Sequence, residues 1–274
     1  MGKTNYSRCI EESCLMDDLF FELFFKKDPK YIEVVIREIF KQLNKPLVKI
    51  ISVSTQHNLK TFGGCDPRLD LLAEDEKGRI NNIEVQRSVS SSHPKRGRYY
   101  SASIDTNTLP KGASYNDLPE TYVIFIMEKD FRKKGRPAYV VDRYYDDGER
   151  YNDEATIIYV NGEYRGDDPI GRLMSDFNAV RADTMNNKEL AERMTFLKDT
   201  ESGRREFSGL REEIFGEGVE KGREEGREEG QENIILSMLR KGLSSQFIAT
   251  NCDFPEQRVK ELRDRLVEKG LLPA

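Results

Sequence analysis

Two acidic residues in the stretch from Arg68 to Arg87 are the strongest candidates for chemistry in this sequence. Asp70 lies in a run that alternates apolar and polar residues, and Glu84 lies in a second run of the same kind. Between the runs stands Asp-Glu-Lys-Gly, in which Gly78 can adopt the positive φ of a tight turn. Alternation at period two on both sides of a turn predicts a β-hairpin with one face in water.

The same alternation places both carboxylates on one face of the hairpin. A turn centred near Glu76 puts Asp70 opposite Asn82 or Glu84, where Cβ atoms are about 4.5 to 5.5 Å apart, or about 7 to 8 Å on the diagonal. Two carboxylates at this spacing repel each other unless a cation compensates them. Hard oxygen ligands without a nearby His or Cys suit Mg²⁺, Mn²⁺ or Ca²⁺. The pattern is equally consistent with a solvated hairpin face that carries ordinary surface acids.

The order of Asp70, a hairpin turn and Glu84-Val85-Gln86 resembles the PD-(D/E)XK nuclease superfamily, in which a metal-binding Asp and a Glu-x-Lys lie on adjacent strands. The closer resemblance is to the bacterial recombination-promoting nuclease and putative transposase group, in which the last position is commonly Gln. Other stretches match that group in the same order: Asp18-Leu19-Phe20-Phe21, Arg98-Tyr99-Tyr100, Leu109-Pro110-Lys111-Gly112 followed by Tyr115, and a late Gly-x-x-x-Gly ladder.

This resemblance implies a metal-dependent DNA endonuclease with a restriction-endonuclease-like α/β sandwich, a mixed central sheet and a helical C-terminal region. Its implied catalytic residues are Asp70, Glu84 and Gln86. The implied ligands of Mg²⁺, with Mn²⁺ or Ca²⁺ as alternatives, are Asp70, Glu84, the carbonyl of Val85, and Asp18. Asp18 also fits a second interpretation, an acid that the helix macrodipole favours at a helix N-terminus.

Gln86 stands where many superfamily members have Lys, so it can orient a water molecule but supplies no positive charge. This substitution predicts slow turnover. A second hypothesis follows from it: a DNA-binding or self-assembling protein whose nuclease-like core is catalytically weak or silent.

Basic residues at the start of the helix after the hairpin are candidates for contact with DNA. A helix that begins near His93-Pro94 carries them in its first turns, where side chains and backbone amides can meet a phosphate together. The candidates are Lys95, Arg96, Arg98 and Tyr99. A solvated basic turn is the alternative, and it also fits a second basic cluster that consists of Arg132, Lys133, Lys134 and Arg136.

The order of predicted elements is helix, helix, strand, hairpin, helix, strand, which gives an α/β sandwich with the hairpin inside a mixed sheet. The continuous apolar run from Thr121 to Glu128 predicts a strand covered on both faces. The other predicted elements are helices over 16–26, from Asp28-Pro29 to Leu43, 93–104, 169–182, 188–199 and 205–232, strands over 48–53, 139–145 and 155–160, and a polar loop over 54–64.

Four segments are predicted along the chain. They are a nuclease-like core (1–165), a helical extension (166–215), a linker rich in Gly and Glu (216–232) and a small helix-turn-helix-like module (233–274). Glycines at every fourth position of the linker favour a helix that associates with a second copy, whereas its charge favours a solvated, partly helical linker. The C-terminal module fits DNA binding or partner binding equally well.

Composition narrows the class of protein. The chain has 274 residues and a net charge of -5, which argues against indiscriminate coating of nucleic acid. No apolar run approaches the roughly 20 residues of a membrane span. The four cysteines show neither metal-ligand spacing nor a disulfide framework, so reduced thiols in a bacterial cytoplasm are expected.

Overall fold

The computed structural model describes residues 10–47, 49–59, 67–88, 94–252, 254–268 and 270–272. The chain divides between Ser208 and Gly209 into two compact units. Each unit is described by itself below. The predicted division into four segments stays a prediction.

In the described part of the first unit, six strands form a mixed sheet. They are β1 (Ile50–Asn58), β2 (Arg68–Asp75), β3 (Ile80–Gln86), β4 (Thr121–Met127), β5 (Ala138–Val141) and β6 (Ala155–Asn161). Their order across the sheet is β1-β2-β3-β4-β6-β5, and β3, β4 and β6 run parallel to one another. The predicted α/β sandwich with a mixed sheet, and with the hairpin inside it, is confirmed.

Helices cover both faces of this sheet. They are α1 (Asp18–Phe25), α2 (Pro29–Gln42), α3 (Pro94–Thr108), α4 (Pro169–Phe177) and α5 (Lys188–Asp199). On one face Phe40 of α2 packs against Tyr122 of β4, with ring centroids 4.8 Å apart. On the other face Tyr100 and Ile104 of α3 pack into a cluster that includes Phe125. The β4 strand is therefore buried on both faces, as predicted.

The prediction that the hairpin has one face in water is wrong. Every residue of β3 is buried, and Asn82 and Glu84 are 0% exposed. Strand β3 lies between β2 and β4, and α3 covers its polar face. The polar side chains that predicted a solvent-exposed face are therefore buried inside the molecule.

Several boundaries also differ from the prediction. Strand β1 runs from Ile50 to Asn58, so half of the predicted polar loop is strand, because an edge strand tolerates polar residues on its open side. Residues 60–64 of that loop and His93 lie outside the described residues. Strand β5 ends at Val141, with an isolated bridge between Tyr144 and Arg150 beyond it.

The helix starts were more predictable than the ends. Asp28 caps α2 by accepting a hydrogen bond from the backbone N–H of Lys30 at 3.0 Å, and Pro29 opens the helix as expected. Helix α4 ends at Phe177 rather than at Ala182, because the following segment folds back onto it. There the carboxylate of Asp176 accepts hydrogen bonds from the backbone N–H groups of Asn186 and Asn187.

A buried lysine ties three distant segments of the first unit together. Lys198 is 6% exposed, and its Nζ donates hydrogen bonds to the carbonyls of Glu11, Ser13 and Val180 at 3.1, 2.6 and 2.7 Å. The ammonium group has three N–H donors, so these bonds satisfy all of them.

The second unit contains the C-terminal part of helix α6 (Glu201–Arg240), followed by α7 (Ser245–Cys252) and α8 (Glu256–Glu268). Helix α6 continues through its glycines without a break and runs beyond residue 232, where the predicted helix ended. The three helices share a small apolar core that consists of Ile235, Ile248, Val259, Leu262, Leu266 and Leu272. None of the described helices is both long and apolar enough to cross a membrane.

Candidate active site

The hairpin brings the carboxylates of Asp70 and Glu84 together on one face. Its register pairs Leu71 with Ile83, so Asp70 and Glu84 face each other one position further along. The backbone N–H of Asp70 donates a hydrogen bond to Glu84 Oε1 at 3.1 Å, and the N–H of Val85 donates one to Asp70 Oδ2 at 3.0 Å. Each carboxylate is thus held by the strand that carries the other.

One oxygen of this pair has no hydrogen-bond donor. Oε2 of Glu84 is buried and accepts no hydrogen bond from any described residue. The guanidinium of Arg96 is near it, with Nη2 at 3.7 Å, which is an ion pair but too long for a hydrogen bond. A buried carboxylate oxygen in this state is destabilising unless a cation approaches it.

Burial raises the pKa of both carboxyl groups. Loss of solvation is the largest cause for Asp70, and it raises the pKa to about 6, partly offset by the hydrogen bond from Val85. Burial and then the nearby charge of Asp70 raise the pKa of Glu84 to about 8. The folded protein therefore resists full ionisation of this pair near neutral pH, because both carboxylates are buried and close together and the one guanidinium of Arg96 offsets only part of this effect.

Gln86 continues the same face and connects it to helix α3. Arg96 Nη1 donates a hydrogen bond to Gln86 Oε1 at 3.0 Å. Arg96 Nε and Nη2 donate to the hydroxyl oxygen of Tyr100 at 3.2 and 2.8 Å. The arrangement is a row of Asp70, Glu84 and Gln86 with one guanidinium over its end.

Comparison with known proteins gives this arrangement a family. Residues 15–216 match the family model described as PD-(D/E)XK nuclease family transposase. The chain belongs to this family. No curated protein and no solved structure matches it.

The part of the chain that matches the PD-(D/E)XK family model contains the whole sheet, the Asp70–Glu84 pair and helix α3. The match ends inside α6, so α7 and α8 lie beyond it.

Asp18 lies at the first position of α1 and is exposed. Its negative charge is close enough to be one of the causes that raise the pKa of Asp70. The neighbouring Asp17 accepts a hydrogen bond from Arg87 Nη1 at 2.7 Å, which connects the start of α1 to the end of β3. The structure thus brings Asp18 near the facing pair; its role as a ligand stays a prediction.

The basic residues of α3 separate into two groups. Arg96 turns inward to Gln86, whereas Lys95, Arg98 and Tyr99 are exposed. Between them, Gly97 is buried against β6: a Cβ atom at this position would lie 3.0 Å from Ile157 Cδ1. The first turn of α3 therefore sits on the sheet at a distance that suits glycine.

A second basic surface lies at the same edge of the sheet. The parallel strands β3 and β4 end side by side, with the N–H of Glu128 donating to the carbonyl of Gln86 at 2.9 Å. Two residues later, Asp130 organises a tight turn by accepting hydrogen bonds from the N–H groups of Arg132 and Gly135 at 3.1 and 2.8 Å. The exposed side chains on this turn, called the basic loop below, are Arg132, Lys133, Lys134 and Arg136.

The chemistry of the facing pair fits a hard divalent cation. The donors are carboxylate oxygens, Oε2 of Glu84 is buried without a hydrogen bond, and the pKa of each carboxyl group is raised mainly by burial, a cost that a bound cation would offset. Among the described residues, no group of three or more His, Cys, Asp or Glu side chains is placed to hold a metal ion. Two carboxylates would therefore need help from a backbone carbonyl, water or substrate.

Sequence reasoning missed the inward position of Arg96. It treated Arg96 with its neighbours as a surface cation. One signal was available: Arg96 and Tyr100 are spaced i, i+4, which places them on the same side of a helix.

Proposed function

We propose that this PD-(D/E)XK family member is a metal-dependent DNA endonuclease of the recombination-promoting nuclease type, acting in the bacterial cytoplasm. The single observation that carries the proposal is the facing pair of Asp70 and Glu84, fixed by reciprocal backbone hydrogen bonds with one carboxylate oxygen left unbonded. Family membership supports the same reaction class.

In this proposal, Asp70, Glu84 and the carbonyl of Val85 hold Mg²⁺, or Mn²⁺ or Ca²⁺, with Asp18 as a further candidate ligand. The bound ion would polarise the scissile phosphate and lower the pKa of a water molecule. The amide oxygen of Gln86 accepts one hydrogen bond from Arg96, and its second lone pair would orient the attacking water. The water oxygen would form the new P–O bond and release one proton to solvent, while one ester P–O bond breaks and the leaving oxygen takes up a proton from solvent to become a hydroxyl.

The exposed cations around the facing pair, together with the exposed hydroxyl of Tyr99, are proposed to bind the DNA backbone. Lys95, Arg98 and Tyr99 lie on the first turns of α3, and the basic loop lies at the end of β4. Both flank Gln86 at the same edge of the sheet, where phosphates on either side of the scissile bond would pass. Attraction of this kind is sequence-independent and depends on salt concentration.

Plasmid cleavage tests the proposal. The wild type should nick or linearise plasmid DNA with Mg²⁺ or Mn²⁺ and lose this activity in EDTA, and Asp70→Asn and Glu84→Gln should each reduce it about a hundredfold or more. Glu74→Gln is the matched control, because Glu74 is an exposed acid on the same strand as Asp70.

If the wild type cuts no DNA with either ion, or if both substitutions leave the rate unchanged, the enzyme proposal fails. DNA binding that persists without cleavage would instead support a silent nuclease fold that acts as a binding module.

We also propose that the chain self-associates in parallel through helix α6. Phe215 and Val219 on this helix are 74% and 51% exposed. The positions seven residues further along, Gly222 and Gly226, continue the same face. A Cβ atom at either glycine would have no heavy atom within 4 Å, so that face is open to a second backbone.

The charges beside this face favour a parallel pair. Arg223 and Arg227 each follow a glycine by one position, whereas Glu225 precedes Gly226, so the two signs lie on opposite flanks. Two parallel helices related by a two-fold axis bring opposite flanks together, and two antiparallel helices bring like flanks together. Only the parallel pair therefore sets arginine against glutamate.

Cross-linking tests this arrangement. Phe215→Cys should form an intermolecular disulfide on mild oxidation, because a parallel pair places the two copies of position 215 together. Glu224→Cys, which lies on the other side of the helix, should not. A monomer in sedimentation at high concentration, or equal cross-linking of both variants, would contradict the proposal.

A further inference from the structure

The proposed reaction needs a fixed positive charge near the phosphate, and Gln86 does not carry one. Phosphodiester hydrolysis develops negative charge on the phosphate oxygens, which a fixed positive group stabilises. Gln86, at the position where the superfamily often has Lys, is neutral. The cation nearest to Gln86 comes from a different element: Arg96 on α3 donates to its Oε1 at 3.0 Å.

We propose that Arg96 is a catalytic residue that supplies the positive charge absent from position 86, with Gln86 as the tether that holds the guanidinium over the carboxylate pair. This inference rests on the proposed nuclease function and assigns a group within it. Arg96 binds phosphate oxygens and transfers no proton, because a guanidinium stays protonated at all physiological pH values.

The hydrogen bonds of Arg96 fix its direction. Three of its five N–H groups bond to described residues: one to Gln86 and two to the hydroxyl of Tyr100. Tyr100 is 7% exposed and packs its ring against Phe125, at a centroid distance of 6.0 Å, so it is a firm support. Each terminal nitrogen keeps one further N–H, which is the fork that matches two oxygens of a phosphate.

The solvent exposure of Arg96 and the charge beside it also favour contact with an anionic substrate. Its side chain is 32% exposed, so one side faces solvent, from which a substrate would arrive. Its other side lies 3.7 Å from Glu84 Oε2, which is fully buried. A cation between a buried carboxylate and open solvent is placed to meet an anionic substrate at the carboxylate pair.

Helix α3 is docked so as to deliver this side chain. Gly97 lets the first turn approach Ile157 and Tyr159, which a Cβ atom would meet at 3.0 and 3.3 Å. The residue that precedes Gly97 is thereby carried to the end of β3. From this position Arg96 Nη1 reaches Gln86 Oε1 at 3.0 Å.

Moving the positive side chain from position 96 to position 86 tests the inference. Arg96→Met should lower kcat on plasmid DNA about a hundredfold with little change in KM, and Arg96→Lys should retain at least a tenth of the rate, since it keeps the charge. Adding Gln86→Lys to Arg96→Met should restore activity at least tenfold over Arg96→Met alone, because the cation returns from the neighbouring strand. Arg172→Met, an exposed arginine on α4, is the control.

A second readout does not depend on cleavage. Affinity for a short DNA duplex, measured by fluorescence anisotropy in EDTA, should fall less than threefold in Arg96→Met, since one phosphate contact is a small part of backbone binding. Circular dichroism should show an unchanged fold.

The outcomes separate the two proposals. If the wild type cleaves and Arg96→Met cleaves equally well, or if the loss appears only in DNA binding, the role of Arg96 is refuted while the nuclease function stands. Failure of Gln86→Lys to recover any activity in a folded double variant also refutes it. If the wild type itself does not cleave DNA, the nuclease proposal fails and the assignment of Arg96 fails with it.

Discussion

Replacement of Glu84 by glutamine should make the metal-free protein more stable at neutral and alkaline pH. Glutamine has the shape of a protonated glutamic acid and keeps the oxygen that accepts the hydrogen bond from Asp70 at 3.1 Å. It lacks the charge that burial penalises. A substitution at the centre of the proposed active site is therefore expected to stabilise the fold while it abolishes cleavage.

The pKa of Glu84 gives both the sign and the size of this effect. Burial raises the pKa from 4.5 to about 8 in the folded state, so the folded chain holds a proton that the unfolded chain has already lost. For such a group, full stability is present below pH 4.5 and is lost as the pH rises toward 8. Between pH 4.5 and pH 7 the loss is about 3 kcal/mol at most, since each pH unit is about 1.4 kcal/mol. Part of this loss of stability comes from the titration of Asp70, so about 2 to 3 kcal/mol remains for Glu84.

Thermal unfolding in EDTA measures this directly. At pH 7 the melting temperature of Glu84→Gln should exceed that of the wild type by roughly 5 to 10 °C, since 1 kcal/mol is about 2 to 4 °C for a unit of this size, and the difference should widen toward pH 8. Near pH 4 the two should agree. Adding Mn²⁺ should raise the melting temperature of the wild type but not that of the variant, because only the wild type gains from the ion.

Glu74→Gln serves as the control and should leave both the melting temperature and its pH dependence unchanged, because Glu74 is exposed. A Glu84→Gln protein that is less stable than the wild type at pH 8 would refute the reasoning. So would a variant with the full pH dependence of the wild type, since the buried carboxyl would then not be its source.

Three other perturbations have defined outcomes. Gly97→Ala should change the free energy of unfolding by less than about 1 kcal/mol, because the better helix propensity of alanine offsets its crowding against Ile157. It should nevertheless lower the rate of DNA cleavage about tenfold, because the crowding moves α3. Ile157→Val, which makes room for the new methyl group, should restore the rate. Lys198→Met should lower the free energy of unfolding by about 3 kcal/mol or more in urea denaturation, because three carbonyls lose their donor. Replacing all four cations of the basic loop by serine should weaken the salt dependence of DNA binding: the slope of log K against log salt concentration, from anisotropy titrations, should decrease by up to about 3.6. The control replaces four lysines elsewhere, Lys27, Lys30, Lys41 and Lys188, and so changes the net charge by the same amount.

The sequence was sufficient to predict the hairpin and the facing acids, because both depend on local rules. Period-two alternation and a Gly turn determine which residues share a face, and the observed register sets Asp70 opposite Glu84. The same rules could not distinguish a face in water from one covered by a helix. Asn82 and Glu84 read as surface residues because an active site, like a surface, is polar.

The role of Arg96 depended on a contact distant in sequence. Arg96 immediately precedes Gly97, which packs closely on Ile157, sixty residues further along the chain, and the side chain of Arg96 turns inward to Gln86. No periodicity in α3 shows that contact. The edge strand β1 was shortened in the prediction for a related reason: the polar side chains after Val53 suit an open edge, which becomes evident only from the order of the sheet.

The docking of α3 on β6 has a consequence for the newly made chain. During synthesis the hairpin with Asp70 and Glu84 leaves the ribosome long before Ala155, the first residue of β6. Ile157 of β6, against which Gly97 packs, is therefore made after both acids. We expect a nascent chain that stops before Ala155 to cut no DNA, which an assay of such a truncated product would test. Under the proposed nuclease function, incomplete copies of the chain would therefore not cut the DNA of the cell that makes them.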